Sequence, residues 1–194
     1  YEVLMSNYFS IFPKATYDIS GNTVTKEATD ILRRFIVRLV VDKRVTEIYQ
    51  YNIKDGDRPD IIAHKYYGSS DYDWVIMMLN NIYDVNYDWP LSQQNFIKFL
   101  ISKYGSIALA KSGVHHYEQI IQQESWNALG THIPEIVVTV DLATYTALIA
   151  TDRKSISSYD YELALNDSKR IINILDVKYL DKIVDKAAAV FANA

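Results

Sequence analysis

Three carboxylates crowd one turn of this chain: Asp55, Asp57 and Asp60 stand around Gly56 and Pro59. Such a cluster could hold a hard cation through oxygen ligands or supply an acid–base pair. The alternating ligands and terminal Glu of a calcium loop are missing, however. An aspartate just ahead of a helix more simply caps it or offsets the partial positive charge of its first turn. His115, His116 and His132 are the candidate transition-metal ligands. Adjacent residues of a strand point to opposite faces, so the histidine pair is not expected to share a ligand, and no His-x3-His pair or cysteine completes a site. Asp88-Trp89 ahead of Pro90 could stack a sugar ring on the indole, although a tryptophan in that place is more often a core or interface anchor. No Gly-x-Ser-x-Gly elbow, phosphate loop or Gly-x-Gly-x-x-Gly fingerprint occurs, and six glycines leave little room for a disguised one. The chain is therefore read as not an enzyme, with no catalytic residue, metal or cofactor assigned.

The elements that position these residues can be read from spacing. Ile48 to Ile53 alternate as a strand does, Asp55-Gly56-Asp57 turn the chain, and Pro59 suits the first turn of a helix. Ile61, Ile62, Lys65 and Tyr66 carry helical spacing to Gly68, a residue that accepts the left-handed conformation at a helix end. Asp71 or Ser70 can cap the next helix, whose stripe is Trp74, Val75, Met78 and Leu79 and whose end is Asn80-Asn81. A further helix is expected over Gln93 to Tyr104, stopped by Gly105, with Phe96, Ile97, Leu100 and Ile101 on one side, packed on this unit.

Tyr51, Ile53, Gly56, Asp57, Ile62, Ala63, Tyr67, Gly68 and Asn80 together resemble the pattern of a LysM domain. Arg58 departs from the usual Thr or Ser, and the second strand with its Pro-Gly signal is not found after Asn80, which puts sugar binding in doubt. The composite GDRPDIIAHKYYGSSDYDWVIMMLNNIYD followed by WPLS resembles, more narrowly, a baseplate wedge protein family of T-even-type contractile-tailed bacteriophages that carries a degenerate LysM-like segment. A downstream block agrees in order: Ser158 to Glu162, Leu165 to Arg170, Ile172 to Leu175, then Tyr179-Leu180. The resemblance covers about half the chain and does not reach Ser106 to Ser157. It implies a structural protein of the virion tail baseplate, made and assembled in the host cytoplasm. It further implies other wedge proteins as partners, in a sixfold assembly where the chain helps join neighbouring wedges. The alternative is a LysM-type peptidoglycan-binding module; an enzyme with an unrecognised site is a third reading.

Composition narrows the classes. The chain has 194 residues, a net charge of −4 and 49% hydrophobic residues, enough to bury a core. Basic residues are dispersed, which argues against nucleic acid as a partner. No apolar run approaches the roughly 18 residues of a membrane span, and the longest, Phe35 to Val41, is broken by Arg38, so no membrane contact is expected. Cysteine is absent, in keeping with a reducing compartment. Tyr1 to Leu4 precede Met5-Ser6-Asn7, which reads as a natural start, and are expected to be an upstream extension. Sixteen tyrosines and three tryptophans favour an assembly component, because such side chains bury large areas at small entropic cost.

The expected class is α+β. Residues 1–25 read as an extended arm, 26–47 as a helix, 48–105 as a LysM-like strand-helix-helix unit with an added helix, 106–157 as a small β region, and 158–194 as helix, strand and helix. Within the β region, strands are expected at His116 to Gln122 and Ile136 to Val140. The expected partner-binding residues are Phe9, Phe12 and Tyr17 on the arm, Trp74 and Trp89, Tyr159 and Tyr161, and Leu180 and Val184 on the final amphipathic helix.

Overall fold

Strand-forming alternation and helical spacing interleave along the chain, and a computed structural model turns them into nine strands and eight α-helices among the residues it describes, 9, 12–18, 21, 25–31 and 48–192. In order these are β1 (Lys14–Tyr17), β2 (Lys26–Thr29), β3 (Ile48–Asn52), α1 (Pro59–Tyr67), α2 (Asp73–Leu79), α3 (Val85–Asp88), α4 (Gln93–Tyr104) and α5 (Ile107–Ser112). They continue as β4 (Val114–Gln122), β5 (Ser125–Trp126), β6 (His132–Ile133), β7 (Ile136–Val140), α6 (Leu142–Ala147), β8 (Arg153–Ser157), α7 (Ser158–Ser168), β9 (Ile171–Leu175) and α8 (Leu180–Ala192). The class is α+β. The chain divides into two compact units, one made of residues 1–90 with 169–194 and the other of residues 91–168.

In the first unit β3 pairs antiparallel with β9, from Ile48 opposite Leu175 to Asn52 opposite Ile171. The strand that pairs with β3 thus comes from the far end of the chain. Between the two strands lie α1 and α2. Pro59 opens α1, since its fixed φ suits a first turn whose N–H needs no partner, and Gly68 closes it at φ 79°. Ser69, not Ser70 or Asp71, accepts the capping bond ahead of α2, from the Asp71 amide. Ile172 and Ile174 alternate inward from β9, joined by Leu175 at its end, in one core with Ile62, Trp74 and Ile76. Each such aliphatic side chain contributes about 1.5–3 kcal/mol by leaving water.

In the second unit β4 lies between β7 and β8 in an antiparallel sheet of order β7-β4-β8, and β5 pairs with β6 in a separate hairpin. Phe96 and Leu100 of α4 and Ala110 of α5 are its buried apolar residues, with Tyr159 and Leu163 of α7 packed against them. Ile97 and Ile101, expected on the same side, are exposed. The helix Gln93–Tyr104, expected in one unit with the helices before it, falls in this unit and packs with α5 and α7.

The N-terminal expectations change as well. Lys26–Thr29, placed at the start of a helix over 26–47, is a strand paired with Lys14–Tyr17, and Lys14 Nζ meets Glu27 Oε2 at 3.3 Å across it. A four-residue KEAT segment is compatible with either state, and the complementary strand ahead of it supplies the ladder bonds that decide. Residues 32–47 of that helix, and residues 1–8, 10, 11, 19, 20 and 22–24 of the arm, lie outside the described residues.

Candidate interaction surfaces

The carboxylate turn is a structural knot. Asp57 Oδ2 accepts the Tyr51 hydroxyl at 2.7 Å and the Lys54 amide at 3.0 Å, while the Asp57 carbonyl accepts the Trp89 indole N–H at 2.9 Å. Gly56 takes φ 83°, a region costly for any residue with a Cβ. Arg58 grips Asp60 through two bonds, 3.1 and 2.8 Å, at the start of α1. The hydrogen bond to Asp57 and the burial of its ring push the Tyr51 hydroxyl up to about 12.

Other residues around this turn also serve the fold. Ile53, Ile62 and Ala63 are buried. The Tyr67 hydroxyl accepts the Leu175 amide at 3.2 Å, and burial pushes that hydroxyl up to about 12. Asn80 acts as a stand-in strand residue: its Oδ1 accepts the Asn173 amide at 2.7 Å and its Nδ2 donates to the Asn173 carbonyl at 2.8 Å. Tyr67 and Asn80 therefore both hold β9, a strand about a hundred positions away.

The expected partner-binding residues separate into two groups. Trp74, Trp89, Leu180 and Phe12 are buried in the core of the first unit, and Val184 packs against it. Trp74, Trp89, Leu180 and Phe12 are each no more than 7% exposed and serve the core, while Val184 is half-buried. Along α8, Leu180, Ile183 and Ala187 are buried and Val184 is half-buried, whereas Val190 is 47% exposed. Phe9 and Tyr17 are exposed. In the second unit Tyr159 packs edge-on against Phe96, with ring centroids 6.0 Å apart, and Tyr161 stacks on His115 at 3.7 Å.

Two exposed aromatic surfaces escaped the sequence reading. Around α3, Tyr83 and Tyr87 are each 76% exposed. Asp88 Oδ2 fixes this turn by accepting the Tyr83 and Asp84 amides at 2.9 and 3.0 Å, bonds that hold its carboxyl below the usual carboxylate range. At the β5–β6 hairpin, Trp126 is 69% and Leu129 90% exposed. Asn127 Oδ1 ties the tip by accepting the Leu129 and Thr131 amides at 2.9 and 2.8 Å. The legible signal was Asn127 and Gly130 bracketing a turn: an apolar residue between them has nowhere to be buried.

The adjacent histidines do not point apart. A register shift between Val114 and His116 breaks the alternation of β4, and the two rings come within a 2.8 Å contact of their Nδ1 atoms, with His116 Nε2 3.2 Å from Glu118 Oε1. His132 lies instead against Glu124, at 2.7 Å. Among the described residues no three His, Asp or Glu side chains converge in a way that could hold a metal ion. No described helix is long and apolar enough to cross a membrane.

The sequence model of the phage family described as Base plate wedge protein 53 matches residues 7–131, more than half of the chain. Over 107 residues the chain is 29% identical to baseplate wedge protein gp53 of Enterobacteria phage T4, a match covering 54% of this chain and 53% of that protein. The chain thus spans about half the length of the curated relative it matches.

Proposed function

The chain belongs to the Base plate wedge protein 53 family, and on that premise we propose that it is a nonenzymatic structural component of a phage tail baseplate wedge. The family match over residues 7–131 carries this reading. In it the chain binds other wedge proteins and helps join neighbouring wedges of a sixfold baseplate, after synthesis in the host cytoplasm. Its chemistry is that of interfaces. Rigid aromatic and aliphatic projections dock into partner pockets because they bury much apolar area while losing little rotamer freedom. Trp126 and Leu129 on the tied hairpin tip, Tyr83 and Tyr87 around α3, and Phe9 and Tyr17 near the N-terminus are the proposed contacts.

The spending of Tyr51, Asp57, Tyr67 and Asn80 on internal bonds supports a scaffold over a peptidoglycan-binding module. In vitro complementation separates the two. Purified full-length chain, added to an extract infected by phage lacking it, is expected to restore infectious particles, and the same chain is expected to stay in the supernatant when murein is pelleted. Pelleting with murein and failure to restore particles would replace the wedge reading by the glycan one.

A further inference from the structure

We infer that the outer edge of β7 receives an extended strand from another polypeptide of the assembly, a segment apolar at alternate positions and flanked by basic residues. This rests on the wedge reading and names the partner's chemistry.

The sheet order β7-β4-β8 leaves β7 terminal, so alternate residues of Ile136–Val140 present backbone N–H and C=O groups outward, and among the described residues no strand pairs with them. Only an extended backbone matches a row of that spacing. Natural edges are protected by charge, proline or a bulge of the edge strand itself. The opposite edge obeys this rule, since β8 carries Arg153 and Lys154. Edge β7 does not: its five residues are Ile, Val, Val, Thr and Val, uncharged and all β-branched, with Ile136 49% and Val138 50% exposed. No residue from 111 to 157 is fully buried, so this sheet encloses no core of its own. A fourth strand would cover what three leave open.

Charge decides which strand. Glu135 and Asp141 bracket β7. Two copies pairing antiparallel about Val138 would set Glu135 of one near Asp141 of the other at both ends, a like-charge juxtaposition. Glu135 is partly offset by Lys154, at 3.3 Å, and the Asp141 carboxylate serves the first turn of α6 through the Thr144 amide at 2.9 Å, but both remain anionic ends. Basic residues flanking the incoming strand complement them.

Hydrogen exchange read by mass spectrometry, on the free full chain and on baseplates purified from virions, tests this. The segment 136–140 is expected to exchange about tenfold or more slowly in baseplates than in the free chain, since the added ladder bonds must open first. Baseplates that contain the chain but leave 136–140 exchanging as in the free protein overturn the strand addition and leave the wedge reading standing. Baseplates without the chain overturn both. Slowing that appears in the free chain as its concentration rises, with a dimer in sedimentation, overturns the choice of another polypeptide in favour of a second copy. A Val138→Lys variant, changed at an exposed position and checked for an unaltered circular dichroism spectrum, is expected to enter baseplates at a level reduced about tenfold. Entry at the wild-type level counts against the edge.

Discussion

Asn80 and Tyr67 show what the motif does at the level of single residues. Both were legible in the sequence as motif positions, but their partners were not, because Asn173 and Leu175 lie far downstream and spacing carries no information about distant pairing. Asn80→Ala removes two bonds to the β9 backbone and is expected to cost about 1–3 kcal/mol, read as a lower urea midpoint at unchanged slope. The tyrosines also set a pH dependence. Tyr51 and Tyr67 ionise near the ordinary tyrosine value of 10.0 when unfolded and at about 12 when folded, so above pH 10 the unfolded chain releases protons that the folded one keeps. Their contribution is complete below pH 10 and is lost as pH rises toward 12. Lys103, raised by its hydrogen bond to Glu162, acts in the same direction. Urea midpoints between pH 8 and 12 should fall accordingly, and Tyr67→Phe should flatten the fall. At the hairpin tip, the double change Trp126→Ala and Leu129→Ala leaves that midpoint within about 0.5 kcal/mol, as surface changes do. It is expected to weaken association with the wedge by tenfold or more, as loss of a docking anchor of about 2 kcal/mol does, in a co-sedimentation assay.

Elements were legible where one local signal sufficed. Helix α4 and strand β7 fall on the expected residues, since Gly105 ends one and a β-branched run marks the other. What failed was the assignment of elements to neighbours. Helix α4 was read as an addition to the helices before it because it follows them in sequence, whereas Phe96 and Leu100 face α5 and α7. The histidine pair misled for a related reason: alternation assumes an unbroken strand, and the bulge in β4 brings both rings together. Candidate contacts were legible as aromatic residues without their burial, so Trp74 and Leu180 were grouped with Phe9 although only the latter is exposed. The small core of the second unit gives a sharp test. Leu100, fully buried, has few substitutes around it, and Leu100→Ala is expected to lower stability by about 2–5 kcal/mol, detected as loss of amide protection across α4, α5 and α7.

The whole molecule is organised by an insertion. The first unit is built from the beginning and end of the chain, and residues 91–168 interrupt it between α3 and β9. The ends of the inserted unit are clasped: buried Asn166 accepts the Leu91 amide at 2.7 Å and donates to the Leu91 carbonyl at 3.2 Å. In the first unit Lys169 reaches the Tyr87 carbonyl at 2.5 Å, so the flanks of the interruption also lie close. Replacing 91–168 by a short Gly/Ser linker is therefore expected to leave a folded first unit, with β9 amides protected; an unfolded product would show that the unit needs its insertion. The direct test is the baseplate itself. Quantitative mass spectrometry of baseplates isolated from virions should find this chain in fixed proportion to the other wedge proteins, in a multiple set by sixfold symmetry, and absence of the chain from those baseplates would contradict the account.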